Sequence, residues 1–435
     1  MKKYRTLVPI VLIVLMLVSW YKLVSNVAEE NTIYNDYLTA ARKYADDGIT
    51  KYAIENYNLA LGINDNPDIY VEVAEYYKSQ GKDREYLSWC EKFFEKYPME
   101  AKAYDCVLSA YLADENYESC YDVIEIADKR NISSEFIEQT KTEIKYVYKL
   151  DFNSYEDVGV YSNCYCAIKN DGYWGFVDRF GVQRVGIRFS EAGAFTKSGL
   201  CPVVDGKGEA YFIDASGEKV LKSQDEYESF GLLTTEATAA KRSDGKYVYV
   251  DKNLNKLFGE YDYASTMNNG IAAVMSSDKW SVINSNGEKT VNETFTDIKL
   301  DERYLAYCND RLFVKRSNGK YIMIDSSGKQ VGSDEFEDVK VFAGESPSVV
   351  KIRGKWQFIS KDGKLISEKT YDEARPFCNG LAAVNIDGKW GFIDESENVV
   401  IEPQFYGAKD FNEKGSCFVK TGDKWQLLKL YRLNR

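Results

Sequence analysis

A five-residue pattern recurs eight times in residues 151–435, and this repetition limits the possible folds more than any other feature of the chain. In each copy an apolar run ends at Asp or another polar residue, as in Trp390-Gly-Phe-Ile-Asp394. The intervals between copies run from 33 to 41 residues. A chain that repeats at so short a period builds copies of one small unit rather than one large core. The copies begin at Trp174, Ala210, Tyr247, Trp280, Tyr321, Trp356, Trp390 and Trp425.

Each copy is typical of three short antiparallel strands. An apolar strand such as "GLAAVN" is followed by a tight turn such as "IDGKW", which is a strong hairpin signal. The strand that begins at the Trp position then ends at a second turn such as "DASG", where Asp accepts backbone hydrogen bonds and Gly takes positive φ. A third strand such as "VVIEP" leads to the next copy. We therefore interpret the repeated Trp and Asp residues as structural and not catalytic.

The pattern resembles the WG-repeat family of bacterial β proteins over residues 151–435, although only Trp174-Gly175 and Trp390-Gly391 keep the dipeptide. The resemblance implies an all-β array of about eight units. The last unit stops after its Trp strand, and "KLDFNSYEDVGV" before the first unit matches the end of a unit. We expect these two ends to pair, which favours a closed β-propeller-like ring because closure hides both sheet edges. A twisted open β-array is the alternative.

Residues 29–150 repeat with a different period, of 33 or 34 residues. Tyr37, Tyr70 and Tyr104 keep one register, and Gly48 and Gly81 mark turns between apolar-periodic helices. This pattern resembles the tetratricopeptide repeat (TPR) and implies an α-solenoid of about three helical hairpins. In the first unit the matching small and aromatic residues are Tyr37, Ala41, Tyr44, Gly48, Ala53, Tyr57 and Ala60.

The TPR resemblance implies that a protein or peptide partner binds the concave face of the helical repeat. Some members of the family bind a C-terminal carboxylate with Lys, Arg and Asn at set positions. Only Arg42 suits such a clamp in this chain, so we do not expect one. The corresponding positions hold Leu38, Arg42, Val71, Glu75, Asp105 and Ser109. A spacer that also dimerises or docks one partner is the alternative interpretation.

The N-terminus suggests a membrane anchor. Basic residues precede an uncharged stretch from Thr6 to Tyr21, which reaches roughly twenty residues if Lys22 snorkels and Leu23 to Val27 contribute. We predict a transmembrane signal anchor over residues 1–28, with a cleaved signal peptide as the alternative. Positive charge before the span predicts a single-pass protein in the cell membrane, with its N-terminus inside and the bulk of the chain outside the cytoplasm.

Composition excludes several kinds of chemistry. The net charge of −12 argues against nucleic acid as a partner, and the absence of His excludes imidazole catalysis and the usual catalytic zinc sites. The nine Cys residues show no redox or zinc spacing, so we expect buried free thiols. A disulfide between Cys166 and Cys417, where the two ends would meet, is the less favoured alternative.

The sequence therefore predicts a multidomain α and β protein with an anchor (1–28), a TPR-like helical domain (29–150) and a WG-repeat β domain (151–435). We expect a membrane-anchored, extracytoplasmic binding and scaffold protein without catalysis or cofactor, whose β loops bind a protein or a cell-envelope glycan. No catalytic, cofactor-binding or metal-ligating residue stands out, and the binding residues stay open.

The alternative function is a carbohydrate-active enzyme on a propeller scaffold. Glycoside hydrolysis needs two carboxylates at a defined separation, and Asp334-Glu335 and Asp372-Glu373 are the acidic pairs available. Because such pairs recur in loops of several copies, we interpret them as solvated turn residues. The segment beginning at Asp251 faintly resembles a calcium loop but has Lys256 where Gly is needed.

Overall fold

The computed structural model describes residues 4–431, with side-chain exposure from residue 15 onward. The chain divides into two compact units, Met1–Lys145 and Tyr146–Arg435. The first is helical and the second is built of β-strands.

The helical unit consists of consecutive helices joined by short turns. Asn66 caps α3 by accepting a hydrogen bond from the Asp68 N–H at 3.0 Å, and Pro67 occupies the first helical position, where its missing N–H costs nothing. Ser134 caps α7 by accepting from the Ile137 N–H at 3.0 Å. The helices are α1 (Tyr4–Asp46), α2 (Thr50–Ile63), α3 (Pro67–Ser79), α4 (Asp83–Lys96), α5 (Ala101–Ala113), α6 (Tyr117–Arg130) and α7 (Glu135–Glu143).

The prediction of a transmembrane anchor over residues 1–28 is wrong. In the part of the chain that the structure describes, none of the helices combines the length and the apolar character needed to cross a bilayer. The membrane-spanning element of the predicted fold and the single-pass localisation are corrected by the same finding. Residues 1–3 of the predicted anchor lie outside the described residues.

Small and aromatic side chains fill the space between the helices. Ala53 and Ala60 on α2 are fully buried, and so is Tyr104 on α5. A disulfide joins Cys90 on α4 to Cys106 on α5, with their Cα atoms 5.4 Å apart. The prediction of free thiols is therefore wrong for this pair, because two positions that look like separate core sites in the sequence face each other across the α4–α5 contact.

The remaining cysteines are free thiols, as expected. Cys166 and Cys417 are both buried and free, so the alternative disulfide between them is absent. The free and buried residues are Cys120, Cys166, Cys201 and Cys417, and the free and partly exposed ones are Cys164, Cys308 and Cys378.

The β unit contains short strands in a regular order. All eight predicted Trp strands are present, and they are β4, β7, β11, β15, β18, β21, β24 and β28 in the numbering that follows. The strands are β1 (Tyr148–Tyr155), β2 (Asp157–Val158), β3 (Tyr165–Asn170), β4 (Tyr173–Asp178), β5 (Gln183–Ala192), β6 (Cys201–Asp205), β7 (Ala210–Ile213), β8 (Lys219–Leu221), β9 (Tyr227–Phe230), β10 (Thr238–Arg242), β11 (Tyr247–Val250), β12 (Lys256–Tyr261), β13 (Tyr263–Ala264), β14 (Ile271–Ser276), β15 (Lys279–Asn284), β16 (Asp297–Ile298), β17 (Leu312–Lys315), β18 (Tyr321–Ile324), β19 (Asp338–Val339), β20 (Ser348–Ile352), β21 (Lys355–Ile359), β22 (Glu373–Ala374), β23 (Leu381–Ile386), β24 (Lys389–Asp394), β25 (Val399–Phe405), β26 (Gly407–Ala408), β27 (Ser416–Lys420) and β28 (Trp425–Leu430).

The prediction of a closed ring is wrong: among residues 4–431 the strands form seven separate sheets of three to seven strands, none of which closes on itself. The physical reason is that most ladders end at a two-residue strand such as β22, so neighbouring units meet through side chains. One buried cluster joins Val349 and Phe358 of one sheet to Ala382 and Ile393 of the next. The pairing of the two ends is present, since β1 pairs antiparallel with β28 in the sheet β1-β28-β27-β26.

The Trp-Gly dipeptide has a packing role. The ladder between β24 and β25 shifts register across Gly391, between Trp390 and Phe392, and that between β4 and β5 shifts across Gly175, between Trp174 and Phe176. At these β-bulges the partner backbone comes close. A Cβ on Gly391 would lie 2.5 Å from the Ile401 carbonyl oxygen, and one on Gly175 would lie 2.7 Å from the Val185 carbonyl oxygen. Glycine is thus required at these two bulges, where the backbone of the third strand leaves no room for a Cβ.

Replacing Gly391 with Ala should lower the free energy of unfolding by about 1–3 kcal/mol, since the new methyl group can be fitted only by moving backbone. Gly186 lies on β5 at the bulge opposite Gly175, and a Cβ there meets nothing within 4 Å, which makes Gly186→Ala the matched control. Chemical denaturation of both variants checks this. Equal stability of Gly391→Ala and the wild type would contradict it.

The disulfide predicts a definite thiol count. Of the nine Cys residues, seven are free, so denatured but unreduced protein should take up seven alkyl groups and reduced protein nine. Intact-mass spectrometry of the alkylated chain makes the measurement. Peptide mapping should then show Cys90 and Cys106 as the two protected residues, and nine groups without reduction would contradict the pairing.

Candidate functional site

The acidic turn residues act as predicted, in structural roles. The Asp214 carboxylate accepts hydrogen bonds from the Ser216 and Glu218 N–H groups at 2.9 and 3.1 Å, and Asp251 accepts in the same way from Asn253 and Asn255. The segment at Asp251 is therefore a repeat turn. Hydrogen bonds from the Ser216 hydroxyl and from backbone N–H groups lower the pKa of Asp214. Within residues 4–431 no group of three or more acidic or Cys side chains is arranged to hold a metal ion.

The acidic pairs of the alternative function are engaged within the loops. Glu335 accepts from the Asn318 side-chain amide at 3.1 Å, Asp372 forms an ion pair with Lys355, and Glu373 pairs with Lys340 at 3.1 Å. Asp334 is exposed. These contacts give each pair a local structural role.

Five loops from different units line a cavity of about 330 Å³, which we call the charged cavity. Each of these loops follows a short two-residue strand, namely β2, β16, β19, β22 or β26. The loops place four basic side chains (Lys299, Arg303, Lys340 and Arg375) and four acidic side chains (Asp301, Glu302, Asp410 and Glu413) around one space. The lining segments are 160–164, 299–303, 340–343, 375–376, 378–379 and 410–413.

A four-residue ion-pair cluster borders the charged cavity, and three of its members, Glu302, Arg375 and Asp410, line it. The Arg375 guanidinium donates to both Asp410 carboxylate oxygens, from Nε at 2.6 Å and from Nη2 at 3.0 Å, and its Nη2 lies 2.7 Å from Glu302 Oε1. The Lys409 ammonium lies 2.5 Å from Glu302 Oε2. Bidentate Arg–carboxylate pairing is strong and directional, so this cluster fixes three loops relative to one another.

The electrostatics of the cluster keep the Glu302 carboxylate ionised. Burial alone would raise the pKa of Glu302, but Arg375 and Lys409 outweigh it and lower that pKa from 4.5 to about 2. Burial opposes the charge of Arg375, yet Asp410 and Glu302 raise its pKa above the ordinary value. Burial lowers the pKa of Lys340 against the opposing effect of Glu373.

Glu302 lies on an additional turn in the longest of the five loops. The loop between β16 and β17 runs from residue 299 to 311, whereas the loop between β22 and β23 runs from 375 to 380. Within it the Asp301 carboxylate accepts from the Arg303 and Leu305 N–H groups at 2.8 and 2.9 Å, as in the repeat turns. We call residues 301–305 the inserted turn.

Sequence reasoning did not identify the inserted turn or the charged cavity. The signal for the turn was the interval of 41 residues between Trp280 and Tyr321, the longest in the array. The cavity itself had no sequence signal, because its lining residues are separated by up to 250 positions along the chain.

The helical unit has a groove of its own, of about 360 Å³. It is lined by four of the positions examined for a carboxylate clamp, Val71, Glu75, Asp105 and Ser109. Leu38 is instead buried, and the Arg42 guanidinium donates to both carboxylate oxygens of Glu72 at 2.8 and 2.9 Å. The groove also contains Tyr86, whose buried hydroxyl has no hydrogen-bond partner in the described part of the chain.

Four segments of the β unit match the family model described as "WG containing repeat", at residues 174–207, 249–280, 358–390 and 390–425. Among solved structures, BamB from Moraxella catarrhalis is similar at a TM-score of 0.42 and 10% identity, over 65% of this chain and 100% of that one. The WD40 β-propeller domain of Doa1 is similar at a TM-score of 0.33 and 11% identity, over 65% and 97% of the two chains. No curated protein matches the chain.

The pKa of Glu302 predicts how stability depends on pH. Since this pKa is depressed on folding, the ion pairs of Glu302 stabilise the fold fully above about pH 4.5 and are lost as the pH falls toward about 2. The thermal midpoint of the wild type should exceed that of Glu302→Gln near neutral pH, and the difference should shrink below about pH 4.

Glu345→Gln is the control for this measurement, because it removes a surface ion pair with Lys361 that contributes little. Scanning calorimetry of the three proteins across the acid range makes the comparison. A difference between wild type and Glu302→Gln that stays constant down to about pH 2 would contradict the assignment.

Proposed function

Because the β unit is built of WG repeats, we propose that this chain is a non-catalytic binding protein that holds a protein partner at the charged cavity. The observation that carries the proposal is the convergence of five loops from different units on one cavity that is lined by the Arg375–Glu302 and Arg375–Asp410 ion pairs. A volume of 330 Å³ is at the lower end of the range for ligand pockets, so it suits a few partner side chains rather than a large ligand.

The ion pairs of the charged cavity favour selective recognition of a protein partner. A partner that brings a carboxylate to Arg375 and Lys409 must take the place of Glu302, and one that brings an unpaired charge of the wrong sign is rejected. Such exchange of complementary charges gives specificity more than raw affinity. The inserted turn carries Glu302, so the exchange involves a turn whose residues 301–305 are exposed or half-buried.

The same electrostatics disfavour the enzyme alternative. A glycosidase needs one carboxyl group whose pKa is raised so that it can donate a proton near neutral pH. In the charged cavity the pKa of Glu302 is lowered to about 2, which makes it a poor general acid. Asp410 is held by both nitrogens of the Arg375 fork.

We further propose that the helical unit binds a second protein partner in the groove that contains Val71 and Asp105. The support is the TPR resemblance together with this groove, which has the buried, unpartnered Tyr86 hydroxyl. With one partner at the charged cavity and another in this groove, the chain acts as a scaffold that joins two proteins.

The test uses the tagged full chain expressed in its native cells, with quantitative mass spectrometry of the proteins that co-purify. Glu302→Gln should raise recovery of at least one specific partner by about tenfold, because it removes the carboxylate that the partner must displace from Arg375 and Lys409. Glu209→Gln is the matched control, because Glu209 also pairs with two lysines, Lys219 and Lys222, but lies outside the charged cavity.

Two outcomes would contradict the proposal. Equal recovery of every partner by the wild type and by Glu302→Gln would show that the charged cavity is not the binding site. Release of sugar from a panel of oligosaccharides by the wild type, and its loss in a Glu302→Gln, Asp410→Asn double variant, would favour the enzyme instead.

A further inference from the structure

A second cavity lies on the other side of the inserted turn. It has a volume of about 610 Å³ and is formed by the second, third and fourth units together with Tyr304 of the inserted turn. Three tyrosines line it, Tyr247, Tyr263 and Tyr304, together with the carboxylates of Glu191 and Glu228. We call it the tyrosine cavity.

Tyr304 has a left-handed backbone conformation, which is strained in any residue that has a Cβ. Its φ is +60°, in the left-handed region, and its N–H donates to the Asp301 carbonyl oxygen at 3.0 Å. In the equivalent turns the residue that makes this bond with positive φ is usually glycine. These glycines are Gly181, Gly199, Gly208, Gly217, Gly245, Gly287, Gly319, Gly328, Gly363 and Gly415.

Only Tyr304 among the described exceptions gains no packing in return. Leu254, at φ +66°, is 1% exposed in an apolar cluster, and Glu397, at φ +56°, is 5% exposed and accepts a hydrogen bond from the Tyr371 hydroxyl at 2.9 Å. Tyr304 is 57% exposed. Strain that packing does not explain is a sign of a functional side chain.

The three tyrosines form one cluster. The rings of Tyr247 and Tyr263 are 5.2 Å apart, and Trp280 stands 5.5 Å from Tyr263 on its other side. All three side chains line the same cavity. Burial raises the pKa of Tyr263, and the nearby hydroxyls of Tyr247 and Tyr304 raise it further. Within residues 4–431 none of these three hydroxyls has a hydrogen-bond partner.

The charge of the tyrosine cavity selects among ligands. Glu228 pairs with Lys241 at 2.8 Å, while Glu191 has no ion pair or hydrogen bond among the described residues. Two carboxylates and one ammonium group leave the cavity with one net negative charge, and aromatic faces also attract cations. An anion would be repelled, and a neutral sugar would leave Glu191 without a counter-charge.

We propose that the tyrosine cavity binds an organic cation, an ammonium or guanidinium group held against the rings of Tyr247, Tyr263 and Tyr304 beside the Glu191 carboxylate. Such a group can belong to a Lys or Arg side chain of a protein or to a small free cation. The site is separate from the charged cavity and does not depend on the function proposed there.

The test is calorimetric titration of the full chain with choline and with short peptides. Each peptide has capped termini and carries one Lys or one Arg as its single charge. Saturable binding of choline alone assigns a small free cation, and tighter binding of a peptide assigns a protein side chain. The neutral isostere of choline, 3,3-dimethylbutanol, should not bind. Binding of the isostere as well as choline, or of neither cation nor peptide, overturns the proposal.

Variants of the inserted turn separate ligand binding from structure. Tyr304→Gly should weaken cation binding by about tenfold and leave the thermal midpoint unchanged or higher, since glycine relieves the backbone strain. Tyr304→Phe should retain binding, because the aromatic face is kept. Leu254→Gly is the matched control, which should lower the thermal midpoint and leave the affinity unchanged.

A Tyr304→Gly variant that binds choline and both peptides as the wild type does overturns the assignment of Tyr304. A fall in its thermal midpoint comparable to that of Leu254→Gly would also overturn it, because Tyr304 would then be structural. Glu191→Gln is an independent test, since this side chain is exposed and its substitution should not disturb the fold. It should weaken cation binding several-fold, and unchanged affinity contradicts the role of the carboxylate.

Discussion

Side-chain packing between neighbouring sheets holds the β unit together. The hydrogen-bonded ladders end at the boundary of each sheet, whereas buried clusters cross it. Ile168 and Val177 pack with Phe418 and Leu427 of a different sheet, and Phe392 and Ile401 pack with Cys417 and Leu428. Packed interiors tolerate little displacement, so the position of each loop is fixed by the cluster beneath it. The two cavities described above are a consequence, because each is formed by loops from several units.

Local structure followed from the sequence because it depends on near neighbours. Each Trp strand is flanked by turns whose Asp and Gly residues act within five positions of one another, so a short stretch of sequence is enough to predict it. The pairing of β1 with β28 was also predictable, since the last unit visibly lacked a strand that the start supplied. In both cases the pattern of the other copies shows which residues or which strand must complete the unit.

What the sequence could not predict depends on distant parts of the chain or on marginal quantities. The Cys90–Cys106 disulfide needs the α4–α5 contact, and the Arg375–Glu302 ion pair needs the loops of two different units to be placed around one space. The predicted anchor depended on Lys22 snorkelling to extend a stretch that was too short by itself. The ring was inferred from paired ends, but pairing at one boundary does not join the other sheets.

Repetition within one chain separates structural residues from candidate functional ones. Gly391 departs from the Gln at the same position in Trp356-Gln357, and the bulge opposite explains the difference. Leu254 and Tyr304 share one strained backbone conformation, yet only the first is buried. Where a departure from the repeat coincides with burial or a close contact, folding accounts for it. Neither burial nor a close contact explains Tyr304 in the inserted turn. Because this turn also lies between the two cavities, it is the best place to look for the interactions of this chain.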